Sequence, residues 1–216
     1  LGQEPNYAEA IKYFDKASYL GDAISQHQLG EMVQQGLGTE ANPELSFKYF
    51  QFAANSKYPP ALWSLAIKYQ HGDGVEKDFA KAINFFEASA SEGYVQSMVD
   101  LASIYVFEKD TPLDYEKAAY WYTLAAENGS SIAVNDLGNM HRYGMHFPRN
   151  EELAVEYYKR SADAGHNAGR YNYGTHLLRN KTNTEELNLA VALIAQAADE
   201  GYIKAQSRLG LMYVEG

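Results

Sequence analysis

Small and large apolar residues in this chain fall at helical spacing, and the pattern returns every 36 residues. Counting from Gly129, steps of 36 give Gly21, Lys57, Gly93, Gly129, Gly165 and Gly201. Four residues before each lie Ala17, Ala53, Ser89, Ala125, Ser161 and Ala197. Seven before lie Phe14, Phe50, Phe86, Tyr122, Tyr158 and Ile194; eight after lie Leu29, Leu65, Leu101, Leu137, Tyr173 and Leu209. Nine after lie Gly30, Ala66, Ala102, Gly138, Gly174 and Gly210. An uninterrupted register of this kind marks a repeat protein before any other feature is considered.

Each period predicts two helices. One carries the aromatic column, as in Tyr115 to Glu127, and ends on the glycine, where a left-handed cap suits a residue without Cβ. The other carries the Leu-Gly pair, as in Ile132 to Tyr143, and leads into a Gly-rich loop such as His71 to Gly74. Alanine, serine and glycine columns allow close helix approach, and the aromatics fill the space between. Such a pair buries its apolar face only by stacking on its neighbours. Three departures stand out: Lys57 in the glycine column, followed by Pro59 and Pro60, and the loops 106–114 and 177–186, which lack the glycine pair. A bend or local mobility is expected at the two loops.

The unit Asp114 to Gly144, with Ala118, Trp121-Tyr122, Ala125 to Gly129 and Leu137-Gly138, resembles the Sel-one-like repeat family, a branch of the tetratricopeptide-type α-solenoids. The closing Ala205 to Gly216 matches as well. The fold expected is all-α, a right-handed superhelical α-solenoid of six 36-residue helix-turn-helix repeats spanning 1–216 as one unit. Leu1-Gly2 aligns with Leu37-Gly38, so a segment of a longer array is expected. The resemblance implies a non-catalytic scaffold or adaptor for a protein or peptide partner. A spacer or regulatory arm for a flanking domain is the alternative, and a hydrolase the least favoured one. An exported bacterial or an ER-lumenal eukaryotic protein fits this family, and the cytoplasm stays open.

Composition narrows the partner. The chain has 216 residues, 46% hydrophobic and 21% charged, with a net charge of -10. An acidic surface repels phosphate backbones, so nucleic acid is not expected as a partner. No apolar run reaches the roughly 18 residues that a membrane span needs, so no membrane insertion by this segment is expected. The absence of cysteine removes disulfides, thiolate metal sites and cysteine nucleophiles.

Candidate chemistry dissolves into the repeat. Asn135, Asp136 and His141 lie within seven residues, but His141 falls in a column reading Val33, Tyr69, Tyr105, His141, Leu177 and Tyr213. It is expected to replace a packing tyrosine. His141 and His146 are off one helical face and lack a supporting carboxylate, so no metal is expected. No catalytic residues and no cofactor are assigned. Glu151-Glu152 and Glu185-Glu186 precede helices, where they suit the dipole. Asn128-Gly129-Ser130 and Asn180-Lys181-Thr182 fit the glycosylation pattern, which chance alone produces at this frequency.

In tetratricopeptide-type folds the equivalent of the Leu-Gly helix lines the concave groove. Its variable positions, six, ten, thirteen and fourteen after the cap glycine, are expected to point outward there. The candidate peptide-binding set is Trp63, His71, Phe107, Asn135, Asn139, Arg142, Tyr143, Tyr171 and Arg179. Aromatics and arginine are the types that most often carry interface energy. Asn135, Asn139 and Arg142 share a helical face and offer amide and guanidinium donors to a peptide backbone or carboxylate.

Overall fold

The structure, a computed structural model, describes residues 5–108, 112–180 and 183–215. Twelve helices and no strand occur among them. In chain order they are α1 (Tyr7–Tyr19), α2 (Ala23–Gln35), α3 (Pro43–Ala54), α4 (Pro59–His71), α5 (Phe79–Ser91) and α6 (Val95–Phe107). They continue as α7 (Tyr115–Glu127), α8 (Ser131–Tyr143), α9 (Glu151–Asp163), α10 (Asn167–Asn180), α11 (Thr184–Asp199) and α12 (Ile203–Glu215). This is an α-solenoid built of helix pairs. The Leu1-Gly2 register, the centre of the loop 106–114 and the Lys181-Thr182 part of the second sequon lie outside the described residues.

The chain divides within α6, between Leu101 and Ala102, into two compact units. In the first, α1 to α5 pack each on the next. In the second, α7 to α12 do the same, and α8 also meets α10.

The glycine column ends the odd helices as expected. Gly21, Gly93, Gly129, Gly165 and Gly201 all have φ between 87° and 90°. The residue after each glycine then donates its N–H to the carbonyl of the small-residue column: Tyr94 to Ser89 (3.1 Å), Ser130 to Ala125 (3.0 Å), His166 to Ser161 (3.0 Å), Tyr202 to Ala197 (2.9 Å). This is the 6→1 bond of a Schellman cap. Lys57 keeps the left-handed conformation at φ 54°, where its Cβ crowds the backbone, and its N–H donates to the Ala54 carbonyl at 2.9 Å as Gly93 does to Ala90. Pro59 and Pro60 occupy the first turn of α4, where no backbone donor is needed.

A second cap column was not read from the sequence. Asn6, Asn42, Asp78, Asp114 and Asn150 stand 36 apart and cap α1, α3, α5, α7 and α9, each side chain accepting from the amide three residues on at 2.9–3.1 Å. The N–H groups of the last four reach back to the carbonyls of Val33, Tyr69, Tyr105 and His141 at 2.9–3.0 Å, which closes the loops. Glu186 breaks this column. Asn183 caps instead, at 2.9 Å from the Glu186 amide, and α11 is 16 residues long.

The close approaches have a simple geometric reason. A Cβ on Gly30 would stand 2.5 Å from the Phe50 ring, one on Gly138 2.8 Å from Tyr158, and one on Gly174 2.9 Å from Ile194. The glycine of one even helix is therefore the seat of the large residue of the next odd helix. Phe50, Phe86, Tyr122, Tyr158 and Ile194 are all buried, and so are Ala53, Ala125, Ala154 and Ala197 and the Ala66 and Ala102 that stand in the column of Gly30 ahead of Phe86 and Tyr122.

Candidate functional site

The even helices do not turn their sixth column fully outward. His27 and Asn135 are buried, and Trp63 and Tyr171 are half-buried. The cause is a polar ladder between successive even helices. His27 Nε2 lies 3.1 Å from Ser64 Oγ, Trp63 Nε1 donates to Asp100 Oδ2 at 2.6 Å, and Asn172 Nδ2 donates to Asn135 Oδ1 at 2.8 Å. Each pair is 37 residues apart, linking the sixth column to the seventh of the following repeat. Burial pushes the Asp100 carboxyl above its ordinary value, against the hydrogen bonds from Trp63 and Gln96.

In the second unit this ladder forms the floor of a cavity of about 370 Å³. Asn135, 4% exposed, donates to Asp136 Oδ1 at 3.0 Å, and Asn139 Nδ2 donates to the same oxygen at 3.0 Å. The Tyr122 hydroxyl hydrogen-bonds the carboxyl as well and sits 2.9 Å from Ser103 Oγ. Asn139 in turn accepts from the Tyr158 hydroxyl at 2.9 Å. Burial drives Asp136 above its ordinary carboxylate value, and the three hydrogen bonds oppose that shift. Tyr158 is pushed up to about 12, again by burial first, with Arg142 opposing.

The walls come from several elements. Phe107 and Tyr143, 68% and 62% exposed, line the cavity together with Tyr202, His166 and Lys204. Tyr171 packs on Tyr202 with ring centroids 5.6 Å apart. His166 is lowered by burial and then by Arg170, and its Nδ1 lies 3.2 Å from Ser161 Oγ. Tyr143 also borders a second cavity, of about 470 Å³, lined by Arg142, Arg149, Glu151 and Arg179. Arg142 lies 5.5 Å over the Tyr143 ring.

Of the nine candidate residues, Phe107, Asn135, Asn139 and Tyr143 line the first cavity, and Arg142, Tyr143 and Arg179 the second. Tyr171 does not line either cavity but packs on Tyr202, which lines the first. Trp63 and His71 belong to the other unit, where Trp63 packs 6.2 Å from Tyr94 and His71 is exposed. Tyr122, Asp136, Asn172, Tyr202 and Lys204 were not in the candidate set, since Tyr122 falls in a core column, Asp136 and Asn172 in the seventh, Tyr202 in the cap turn and Lys204 in the first turn of α12, away from the variable columns.

His141 takes a tyrosine's place, as its column implies. It stacks on Phe147 at 4.4 Å and Tyr157 at 5.5 Å, as Tyr69 stacks on Phe85 at 5.6 Å. Burial lowers its pKa. His146 stands apart in the loop, with φ 64°. Among the described residues no group of three or more His, Asp or Glu is placed to hold a metal ion, and no helix is long and apolar enough to cross a membrane.

The sequence profile of the Sel1 repeat matches residues 1–22, 23–58, 59–94, 95–130, 131–166 and 203–216. The chain belongs to the Sel1 repeat family. Sel1 repeats mediate protein interactions and are generally not enzymes. The unmatched stretch, 167–202, holds the displaced Asn183 cap, with Tyr173 for leucine and Ile194 for the aromatic. Among solved structures, a Sel1 repeat protein from Oxalobacter formigenes is similar at 27% identity and TM-score 0.88, over 96% of this chain and 84% of that one. A Sel1 repeat protein from Klebsiella pneumoniae shares the fold at 20% identity and TM-score 0.57, over 94% and 99% of the two chains. The immunity protein Pa5087 from Pseudomonas aeruginosa does so at 16% and 0.57, over 94% and 76%. No curated protein matches the sequence.

Proposed function

We propose that this Sel1 repeat chain is a non-catalytic interaction scaffold, and that its second unit takes a peptide segment of a partner protein across the two cavities that share Tyr143. The observation that carries the reading is the placement of Phe107 and Tyr143. Two large aromatics stand exposed at the mouth of a polar cavity, where burial by a partner would remove apolar area from water. Asn139 supplies an amide beside them, and Arg142 and Arg179 supply guanidinium groups at the second cavity. A scaffold of this kind needs no nucleophile and no metal, only a rigid floor. The ladder and the Asp136 network supply one.

Affinity capture with the intact chain and with a Phe107→Ala, Tyr143→Ala, Arg179→Glu variant tests the reading. All three side chains are exposed, so the variant is expected to keep the wild-type melting curve. A partner retained by the wild type and lost by the variant supports the site. A partner retained equally by both removes the site from these two cavities.

A further inference from the structure

Asp136 is a carboxylate sunk in a cavity, yet every partner that holds it is neutral: the amides of Asn135 and Asn139 and the hydroxyl of Tyr122. Buried carboxylates in folded proteins are usually matched by a cation, because desolvation of an unmatched charge is costly. A carboxylate has about four lone-pair sites, and three hydrogen bonds leave room for a further donor. The space above it, about 370 Å³, is walled by Phe107, Tyr143 and Tyr202. Aromatic faces attract cations and accept the methylene stem of a long basic side chain. The chain as a whole carries a net charge of -10, which draws basic segments toward it.

We infer that the cavity floored by Asp136 receives the lysine or arginine side chain of an extended partner peptide, its cationic head on the Asp136 carboxylate and its stem between Tyr143, Phe107 and Tyr202. This rests on the scaffold reading and names the residue that the partner must present. The neutral donors fix the carboxylate in place, so the charge stays unspent until the partner arrives. Lys204 lines the same cavity from the exposed first turn of α12, and its ammonium opposes a second cation. It sets a preference for one basic residue flanked by neutral or acidic ones.

The test uses the intact chain and acetylated, amidated pentapeptides with alanine around a central arginine, lysine, citrulline, norleucine or glutamate, read by backbone amide NMR shifts. The arginine and lysine peptides are expected to move the amides of Asp136, Asn139 and Tyr202, and the citrulline and norleucine peptides to leave them in place. Asp136→Asn is expected to weaken the arginine peptide by roughly tenfold or more, as loss of one partner of a desolvated charge pair does. Its side-chain oxygen still accepts from Asn135 and Asn139, and Tyr122 can turn to Ser103, so the fold has a route to satisfaction. Tyr143→Ala, at the exposed rim, tests the same pocket without touching the floor and is expected to weaken the peptide by about three- to tenfold. Lys204→Ala is expected to tighten it. Equal shifts from citrulline and arginine, full binding by Asp136→Asn, or binding of free arginine amide as tight as the peptide would each overturn the inference. So would weaker binding by Lys204→Ala. A captured partner that places a neutral or acidic residue over Asp136 sinks this inference and leaves the scaffold standing; capture insensitive to Phe107, Tyr143 and Arg179 sinks the scaffold site itself.

Discussion

Asn172 Nδ2 donates to Asn135 Oδ1 at 2.8 Å, from α10 to α8, and Asn135 passes the bond on to Asp136 at 3.0 Å. Two amides thus couple the packing of neighbouring helices to the position of a cavity carboxylate. Truncating Asn172 to Ala leaves the buried Asn135 oxygen unpaired and is expected to cost about 1–3 kcal/mol. The double change Asn135→Leu, Asn172→Leu removes both polar groups and is expected to cost less than the sum of the single ones. Urea denaturation of Asn172→Ala, the two single leucine variants and the double one measures this. An additive double variant would show that the pair carries no coupling.

Lys68 is 1% exposed, its Nζ 2.7 Å from Asp73 Oδ2 and 5.9 Å over the Phe50 ring. Asp73→Ala strands a buried ammonium and is expected to cost about 2 kcal/mol, below the 3–5 of a fully enclosed pair because Asp73 is 43% exposed. Lys68→Met removes the charge with the stem retained and is expected to cost less than Asp73→Ala. The reverse order in thermal melts would mean that the ammonium is not stranded without Asp73 but is held by other contacts, the Phe50 ring among them.

Two glycine columns answer to different forces. A Cβ at Gly129 meets nothing within 4 Å, so Gly129→Ala costs only its left-handed backbone, about 1 kcal/mol. Gly138→Ala drives into Tyr158 at 2.8 Å and the Ala154 carbonyl at 3.2 Å, for a net loss of about 1–2 kcal/mol after the gain in helix propensity. It also displaces the hydroxyl that Asn139 accepts. Lys57→Gly releases strain at φ 54° and is expected to stabilise by up to about 1 kcal/mol. Chemical denaturation ranks the three.

His27, His141 and His166 all have folded pKa values lowered first by burial, with Glu31 partly restoring His27. A histidine depressed below 6.5 is held neutral by the fold, so its stabilising effect is full above 6.5 and is lost as pH falls toward the folded value. Asp100 and Asp136 act in the opposite sense and in a lower window, above 3.8, where the folded state takes up protons first. The melting temperature is therefore expected to fall between pH 7.5 and 5.5. His27→Asn and His166→Asn should each flatten that slope; an unchanged slope in both would place the acid sensitivity elsewhere.

The helix pairs, the left-handed glycine cap and the seating of a large residue on a small one were legible because they recur. Six copies of one packing problem force the same residue classes into the same columns, and Phe50 on Gly30 or Tyr158 on Gly138 is that solution seen in space. His141 was legible for the same reason, since its column named its role. The Asn and Asp caps recur too and could have been read, but their signal lies in single polar residues rather than in an apolar period. What periodicity hid was the cavity. Tyr122 comes from a core column, Asp136 and Asn172 from the seventh, Tyr202 from the cap turn and Lys204 from the first turn of α12, and no single column joins them. Only the stacking of α7, α8, α10 and α12 brings them to one place. A repeat tells which positions must stay alike for the helices to pack. A site is made of the positions that differ, and their meeting is a property of the tertiary structure.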